Sequence, residues 1–144
     1  VLYIAQSEST KLLKMFTQLG AKAPLYCTGG GKAILAYKPL SFQEHALSKI
    51  NFIKYTENTI VTADSLRKEF EIIKKQGYSI DNEEREEGIT CVAAPIFDCY
   101  GEVIAAVSIS GPSYRIKEKD LNSIISSVVL TAKEISANLG YAEK

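Results

Sequence analysis

The sequence contains few of the residues from which disulfide frameworks and zinc sites are built. It has three cysteines, Cys27, Cys91 and Cys99, and one histidine, His45. The cysteines are odd in number and show no CxxC spacing, whereas small disulfide scaffolds and zinc knuckles need paired thiols at short intervals. These counts argue against both a disulfide-rich secreted fold and a zinc knuckle.

An excess of charge of either sign is also missing. The chain has 17 basic and 17 acidic side chains, and its formal net charge at pH 7 is zero. Proteins that bind phosphate backbones or anionic membranes cluster Lys and Arg to neutralise them, and nothing here has that footprint. We therefore expect that these residues do not bind DNA or a membrane surface themselves.

Long hydrophobic runs, linkers and repeats are absent as well. No apolar stretch is long enough to span a bilayer, and no basic segment followed by an apolar run opens the chain. With 144 residues, 46% hydrophobic and 24% charged, the composition is that of one soluble globular domain over residues 1–144. The expected location is the cytoplasm. Because Val1–Ala5 already reads as a strand without an initiator Met, we expect a fragment of a longer protein.

Local patterns predict the following elements. Residues 1–5 and 12–16 read as short strands, and a glycine loop leads into a helix over 33–37 that Pro39 ends. Ser41 and Glu44 have the spacing of a capping box, which predicts a second helix to about Ile50.

Two longer amphipathic helices follow. Thr62 caps the first, which buries Leu66, Phe70 and Ile73 before Gly77 stops it. The second spans about 119–139 with one apolar stripe, so it should pack across a sheet. The stripe contains Leu121, Ile124, Ile125, Val128, Val129, Ala132 and Ile135.

A β-hairpin over residues 89–110 is the most informative local pattern. Its turn starts at Asp98 and ends at Gly101. If these two residues pair, Cys91 faces Ser108 and Ile89 faces Ser110 on one side. The other side carries the branched residues of a core face, while small residues beside the thiol and hydroxyls leave room for a ligand.

The run Gly29–Gly31 before a helix suggests an anion site, since free amides and the helix dipole favour negative charge there. The alternative is that the glycines only permit a tight turn or close packing. A nucleotide P-loop is rejected: Ala33 follows Lys32 where Ser or Thr is needed, and Tyr26 stands in place of the first glycine.

The remaining polar residues carry weaker signals. The acidic run Glu83–Glu87 reads as a solvated loop, whereas Asp81, directly after a predicted strand, is a candidate for binding a hydroxyl or ordering an amide. Cys91 reads as a thiol lining a pocket, because no base accompanies it. His45 reads as a helix-surface residue, and a metal site of Cys27, His45 and Cys91 has no recognised spacing.

Four segments, Pro24–Ala33, Gly77–Glu84, Gly88–Pro95 and Ala106–Pro112, occur together in order. They resemble the C-terminal effector-binding domain of IclR-family transcriptional regulators over essentially the whole chain. The resemblance implies a GAF-like α/β (α+β) fold, with a curved antiparallel sheet, helices packed on one face and an effector pocket on the other. The family's N-terminal winged helix-turn-helix is absent from this chain.

The resemblance also implies a set of ligand-binding residues. Gly29 and Gly30 match the backbone amides that bind an effector carboxylate. The matching polar lining consists of Asp81, Cys91, Ser108 and Ser110. The matching apolar wall consists of Leu12, Met15, Ala23 and Ile89. Ala23 stands where leucine is often found and Gly30 where alanine is, which implies a roomier pocket.

The function implied by the resemblance is sensing, without a catalytic residue, cofactor or metal. A small 2-oxo or hydroxy acid would bind and alter how the N-terminal domains of a homodimer or tetramer meet operator DNA. One alternative is a GAF-like redox enzyme that uses Cys91 or Cys27, which requires an activated thiolate. Another is a zinc-binding member of the same fold.

Overall fold

The computed structural model describes residues 1–11, 17–118 and 120–142, with the side chain of residue 118 excepted. This part of the chain forms five helices and three strands. They are α1 (Gly29–Tyr37), α2 (Leu40–Lys49), α3 (Ala63–Gln76), β1 (Ser79–Asn82), β2 (Ile89–Phe97), β3 (Val103–Pro112), α4 (Ser113–Glu118) and α5 (Leu121–Asn138). Among the helices of these ranges, none has the length and apolar character needed to cross a membrane.

The strands form an antiparallel sheet in the order β1-β2-β3. Val92, Ala94 and Ile96 of β2 face Val128 and Ala132 of α5 in one buried cluster. The predicted stripe of the last helix packs into this cluster, and the polar side chains of the helix are exposed, with the exception of Ser136. The expectation that this helix lies across a sheet is confirmed.

A second core joins α1, α2 and α3 through Leu35, Leu47, Leu66, Phe70 and Ile73. It reaches the sheet where the first turn of α1 meets the face that carries Cys91, opposite α5. The fold is therefore the expected mixture of helices with an antiparallel sheet. The face of the sheet that was predicted to bind a ligand is not fully exposed, because α1 covers one end of it.

The hairpin register differs from the prediction by two residues. Asp98 bonds to two residues across the turn: its carbonyl accepts from the Gly101 amide, as the predicted turn requires, and its amide donates to the Glu102 carbonyl, both at 3.0 Å. The ladder continues from Glu102, which accounts for the first residue of the shift. Ile104 is then an extra residue in β3, since Ile96 pairs with Ala105 and Phe97 with Val103. Such a bulge leaves one residue unpaired. The turn and the bulge each shift the pairing by one residue, and together they shift it by two. Each side chain of β3 therefore stays on its predicted face of the sheet, but it pairs with a different residue of β2.

Consequently, two predicted pairs were wrong. Cys91 pairs with Ser110 instead of Ser108, and Ile89 pairs with Pro112 instead of Ser110. The sequence showed the turn residues but not the bulge, which depends on how β3 bends onto the helices.

Helix capping follows one prediction and contradicts another. Thr62 caps α3 by accepting from the Ser65 amide, and Gly77 ends that helix with φ +83°, as expected. The capping box of α2 was wrong: the helix starts after Pro39 without a side-chain cap, and Glu44 accepts two hydrogen bonds from Arg67.

The first residues form less regular structure than predicted. Residues 1–5 contribute a single antiparallel bridge, between Leu2 and Lys22, instead of a full strand. The strand expected at 12–16 lies outside the described residues. Helix α4 was not predicted; it starts one residue after β3 ends.

Candidate functional site

The N-terminus of α1 has two backbone amides that its cap does not use, and one of them, the amide of Gly29, lies against the Cys91 sulfur. Thr28 serves as the N-cap: its hydroxyl accepts from the Gly31 amide at 3.3 Å, and its carbonyl accepts from the Lys32 amide at 3.0 Å. The first amides of a helix have no carbonyl in a preceding turn. The cap uses neither Gly29 nor Gly30, so these amides are the first-turn donors at the helix end.

The three glycines have different reasons to lack a side chain. A Cβ on Gly29 would lie 2.8 Å from the Cys91 sulfur, and one on Gly31 would lie 2.5 Å from the Leu25 carbonyl oxygen. At Gly30 the nearest atom would be the Ala106 Cβ at 3.9 Å, an ordinary contact. Close packing thus explains two of the glycines, and Gly30 borders open space.

Two rows of side chains cross the sheet beneath this helix end. Asp81, Cys91 and Ser110 are neighbours in one row, and Ser79, Ala93 and Ser108 are neighbours in the next. The hydroxyl of Ser79 donates to the Gly29 carbonyl at 2.6 Å and so fastens α1 to the sheet. Besides the Ser79 hydroxyl, the sheet therefore brings a carboxyl, a thiol and two further hydroxyls next to the amides of α1.

The thiol at the centre of these rows is protonated. Burial raises the pKa of Cys91, although hydrogen bonds with Ser110, Ser108 and the Gly29 amide act in the opposite direction. Burial also raises the pKa of Cys27 to about 11. A thiolate is the nucleophilic form, so neither buried cysteine is activated for nucleophilic or redox chemistry.

Asp81 orders the loop between β1 and β2. The carboxylate accepts from the Glu84 amide at 2.7 Å. Burial raises the pKa of this carboxyl, and the Glu84 and Arg85 amides together with the charge of Lys32 counteract the rise. Asp81 thus shapes the wall of the site as well as lying in its row.

Lys32 forms a buried ion cluster behind the site. Its fully buried ammonium contacts Glu84 Oε1 at 2.5 Å, the Ile80 carbonyl at 2.7 Å and Glu69 Oε1 at 3.0 Å. Burial raises the pKa of Glu84, and Lys32 opposes that rise. The interpretation of residues 83–87 as a solvated loop was therefore wrong for Glu84. The acidic composition of this segment gives no sign that Glu84 is buried, because its partner Lys32 lies 52 positions away in the sequence.

Sequence reasoning missed Tyr3 and Arg85. The pKa of Tyr3 is raised by burial and then by the charges of Cys91 and Asp81, so the phenol interacts electrostatically with one of the two rows. The guanidinium of Arg85 lies 3.9 Å from the centre of the Tyr55 ring. Its positive charge opposes the rise in the pKa values of Tyr3 and Cys27. No local signal distinguished Arg85 within its acidic segment.

The predicted apolar wall is only partly described. Leu12 and Met15 lie outside the described residues. Ala23 is half-buried and exchanges backbone hydrogen bonds with Val1, and Ile89 is half-buried at the start of β2. Their roles as wall residues stay predictions.

The structure does not unite the residues considered for a metal. His45 is exposed on α2, whereas Cys27 belongs to the core of the first three helices. Over the described ranges, no group of three or more His, Cys, Asp or Glu side chains is placed to hold a metal ion.

Known proteins with similar sequences are transcriptional regulators. The transcriptional regulator KdgR of Escherichia coli K12 is 37% identical over 141 residues, which are 98% of this chain and 54% of KdgR. The repressor AllR of Salmonella typhimurium LT2 is 39% identical over 139 residues, 95% of this chain and 50% of AllR. The chain thus spans about half the length of these relatives.

Solved structures agree. IclR of Thermotoga maritima superposes with a TM-score of 0.91 at 40% identity, over 97% of this chain and 57% of that one. The C-terminal domain of E. coli KdgR superposes with a TM-score of 0.81 at 37% identity, over 90% of this chain and 79% of that one. The family model of the bacterial transcriptional regulator IclR C-terminal domain matches residues 1–137. The chain therefore belongs to the IclR family of transcriptional regulators, as a C-terminal domain.

Proposed function

We propose that this domain binds a small carboxylate, of the 2-oxo or hydroxy acid class, between the N-terminus of α1 and the sheet. The carboxylate would accept hydrogen bonds from the amides of Gly29 and Gly30. The ligand's oxygens would meet Ser108, Ser110 and the Cys91 thiol. Asp81 would accept from a ligand hydroxyl or hold the loop that encloses it. No covalent bond changes.

The placement of the α1 N-terminus directly over the row of Asp81, Cys91 and Ser110 carries this proposal. Helix N-termini favour anions through their free amides and dipole. Hydroxyls and a protonated thiol supply neutral donors and acceptors, which suit the oxygen atoms of a small acid. The raised pKa values of Cys91 and Cys27 favour binding over thiol chemistry.

The charges around the site also favour an anion. Lys32 is neutralised by Glu84 and Glu69, whereas Arg85 is exposed and forms no ion pair within the described residues. Its stacking on Tyr55 orients the guanidinium without neutralising it. We expect Arg85 to contribute a second contact to anionic ligands.

The bound ligand would act on DNA through the whole protein. In a protein of the length of KdgR or AllR, an N-terminal winged helix-turn-helix would contact the operator in the cytoplasm. Homodimers or tetramers would transmit the effect, because a ligand that prefers one arrangement of the domains shifts the population toward it.

A thermal-shift screen of this domain against small oxo, hydroxy and unsubstituted acids tests the proposal. A ligand at a hundredfold excess over its Kd should stabilise the fold by about 2.7 kcal/mol. Calorimetry should then show at least tenfold weaker binding of the best acid to Ser110→Ala and Arg85→Gln.

Ser126→Ala on the exposed face of α5 and Arg67→Gln on α3 are the matched controls, and both should bind like the parent. The carboxylate assignment fails if neutral sugars or aromatic alcohols stabilise the domain and no acid does. It also fails if the amide analogue of the best acid binds equally well.

A further inference from the structure

A second cavity lies at the far end of β2, away from the row of Cys91. It has a volume of about 530 Å³, within the range of small-molecule sites. The cavity exists because β1 is short: its last pair with β2 is Ser79 with Ala93, so from Ala94 to Phe97 β2 is paired with β3 but has no neighbour on its β1 side. The ends of α3 and α5 flank this uncovered edge.

The backbone of this edge does not need another strand. Edge donors alternate along an antiparallel strand, so Pro95 and Phe97 are the positions that face outward. Pro95 has no amide proton, and the Phe97 amide donates to the Ser136 hydroxyl at 3.0 Å. An added β-strand would find no free donor here, which favours a small molecule as the occupant.

The walls are apolar and preformed. Ala94, Val129 and Ala132 line the floor beside α5. At one end the Phe97 ring stacks on Tyr141 at 5.1 Å and meets Tyr37 edge-on at 5.2 Å. Aromatic rings that are already packed together offer a flat surface without a cost in side-chain freedom on binding.

The rim is basic. Lys74 and Lys75 at the end of α3 line the cavity together with Lys133 on α5, and none of the described residues that line it is acidic. Lys74 has a contact with Glu71, but this is an exposed pair one helical turn apart, of a type that contributes little. An anion entering the cavity would therefore meet the positive charge of the two lysines at the end of α3.

We propose that this cavity is a second ligand site, separate from the Cys91 site, for a small aromatic carboxylate. The ring would lie against Phe97 and Val129, and the carboxylate would face Lys74 and Lys75. The occupant would contact the strand that also carries Cys91, from the opposite end.

Titration of the ¹⁵N-labelled domain with 2-naphthoate tests the proposal. We expect saturable amide shifts at Gly77, Phe97 and residues 129–141. The neutral analogue 2-naphthalenemethanol should bind at least tenfold more weakly. Replacing Lys74 and Lys75 together by Gln should weaken 2-naphthoate binding at least fivefold, whereas the matched pair Lys49→Gln and Lys68→Gln, exposed elsewhere, should not.

Three outcomes would overturn the proposal. They are shifts confined to the surroundings of Gly29, Cys91 and Ser110, the absence of saturable shifts at millimolar 2-naphthoate, and equal affinity for the neutral analogue. Ala137→Phe, at an exposed position on the wall, is a second check, since it should block the cavity while the domain stays folded. The result is independent of the effector screen, because the two sites report through different amides.

Discussion

At the scale of single residues, the contact between Gly29 and Cys91 controls how closely the helix N-terminus approaches the sheet. The space that a Cβ would need at Gly29 is occupied by the Cys91 sulfur, a buried atom held in the middle strand of the sheet. The space at Gly30 is open. Two adjacent glycines thus differ in what a methyl group would do.

We expect Gly29→Ala to destabilise the domain by about 1–3 kcal/mol, because overpacking forces the helix away from the strand. The same displacement should weaken carboxylate binding at least tenfold. Gly30→Ala keeps the backbone amide, and its added methyl group has no close neighbour. Its free energy of unfolding should therefore lie within about 0.5 kcal/mol of that of the parent. Urea denaturation measures both variants. Equal losses for the two would show that the helix end is not seated on Cys91.

Cys27 makes stability depend on pH in the alkaline range. Its pKa rises from 9.0 to about 11 on folding because the thiol is buried. The unfolded chain therefore loses this proton first, so the contribution is complete below pH 9 and is lost as pH rises toward 11. With 1.36 kcal/mol per pKa unit, the loss is about 2–3 kcal/mol. Denaturation at several pH values should show a smaller decline for Cys27→Ala than for the parent; identical declines would contradict the assignment.

At the scale of elements, the ion cluster around Lys32 links two helices and a loop that the hydrogen bonds of the sheet do not connect. Lys32 belongs to α1, Glu69 to α3, and Glu84 to the loop after β1. Within the described residues, Glu84 Oε2 is a buried oxygen without a hydrogen-bond partner, so Lys32 is the main compensation for that charge. The cluster therefore sets the position of the loop that Asp81 orders.

Lys32→Met should destabilise the domain by about 3–5 kcal/mol, because breaking a buried pair leaves its carboxylates uncompensated. The double variant with Glu84→Gln should recover part of the loss, since the buried charge is then removed. Lys68→Met, at an exposed position on α3, is the control and should change the free energy of unfolding little. Thermal and urea unfolding measure the series. A loss below 1 kcal/mol for Lys32→Met would mean that the carboxylates are hydrated or protonated instead.

Elements with a local signal could be predicted from the sequence, and those that depend on distant contacts could not. The caps at Thr62 and Gly77 and the stripe of α5 act within a few residues, so composition and spacing sufficed. The start of α2 could not be predicted, because Gln43 reaches back to the Leu35 and Ala36 carbonyls and Glu44 turns to Arg67. Such tertiary partners override a capping box.

The same distinction between local signals and distant contacts applies to the candidate site. The face that carries Cys91, Ser108 and Ser110 followed from alternation along two strands, which a shift of two residues leaves intact. Tyr3 and Arg85 were missed because their relation to the site comes only from folding. Neither residue has a periodic or motif signal.

At the scale of the whole molecule, the zero net charge separates ligand sensing from DNA contact. With equal numbers of basic and acidic side chains, the domain has no net positive charge to supply the counterion release on which most non-specific affinity for DNA depends. We expect the 144-residue chain to show no shift of operator DNA at 150 mM salt, whereas the complete gene product should bind. Gel-shift titrations measure both. Specific DNA binding by the isolated domain would contradict the division.

The two irregularities of the hairpin restrict how β3 can change in length. Pairing of Asp98 with Glu102 and the extra Ile104 each displace β3 by one residue, and only together do they keep Ser108 and Ser110 beside Cys91. Because side chains alternate, inserting or deleting one residue of β3 between Ile104 and Ser108 without a compensating bulge would turn both serines into the core beneath α5. Variants of this strand that keep the pocket must therefore change its length by two residues or gain a second bulge, whereas the loop before Val103 can change length without this restriction.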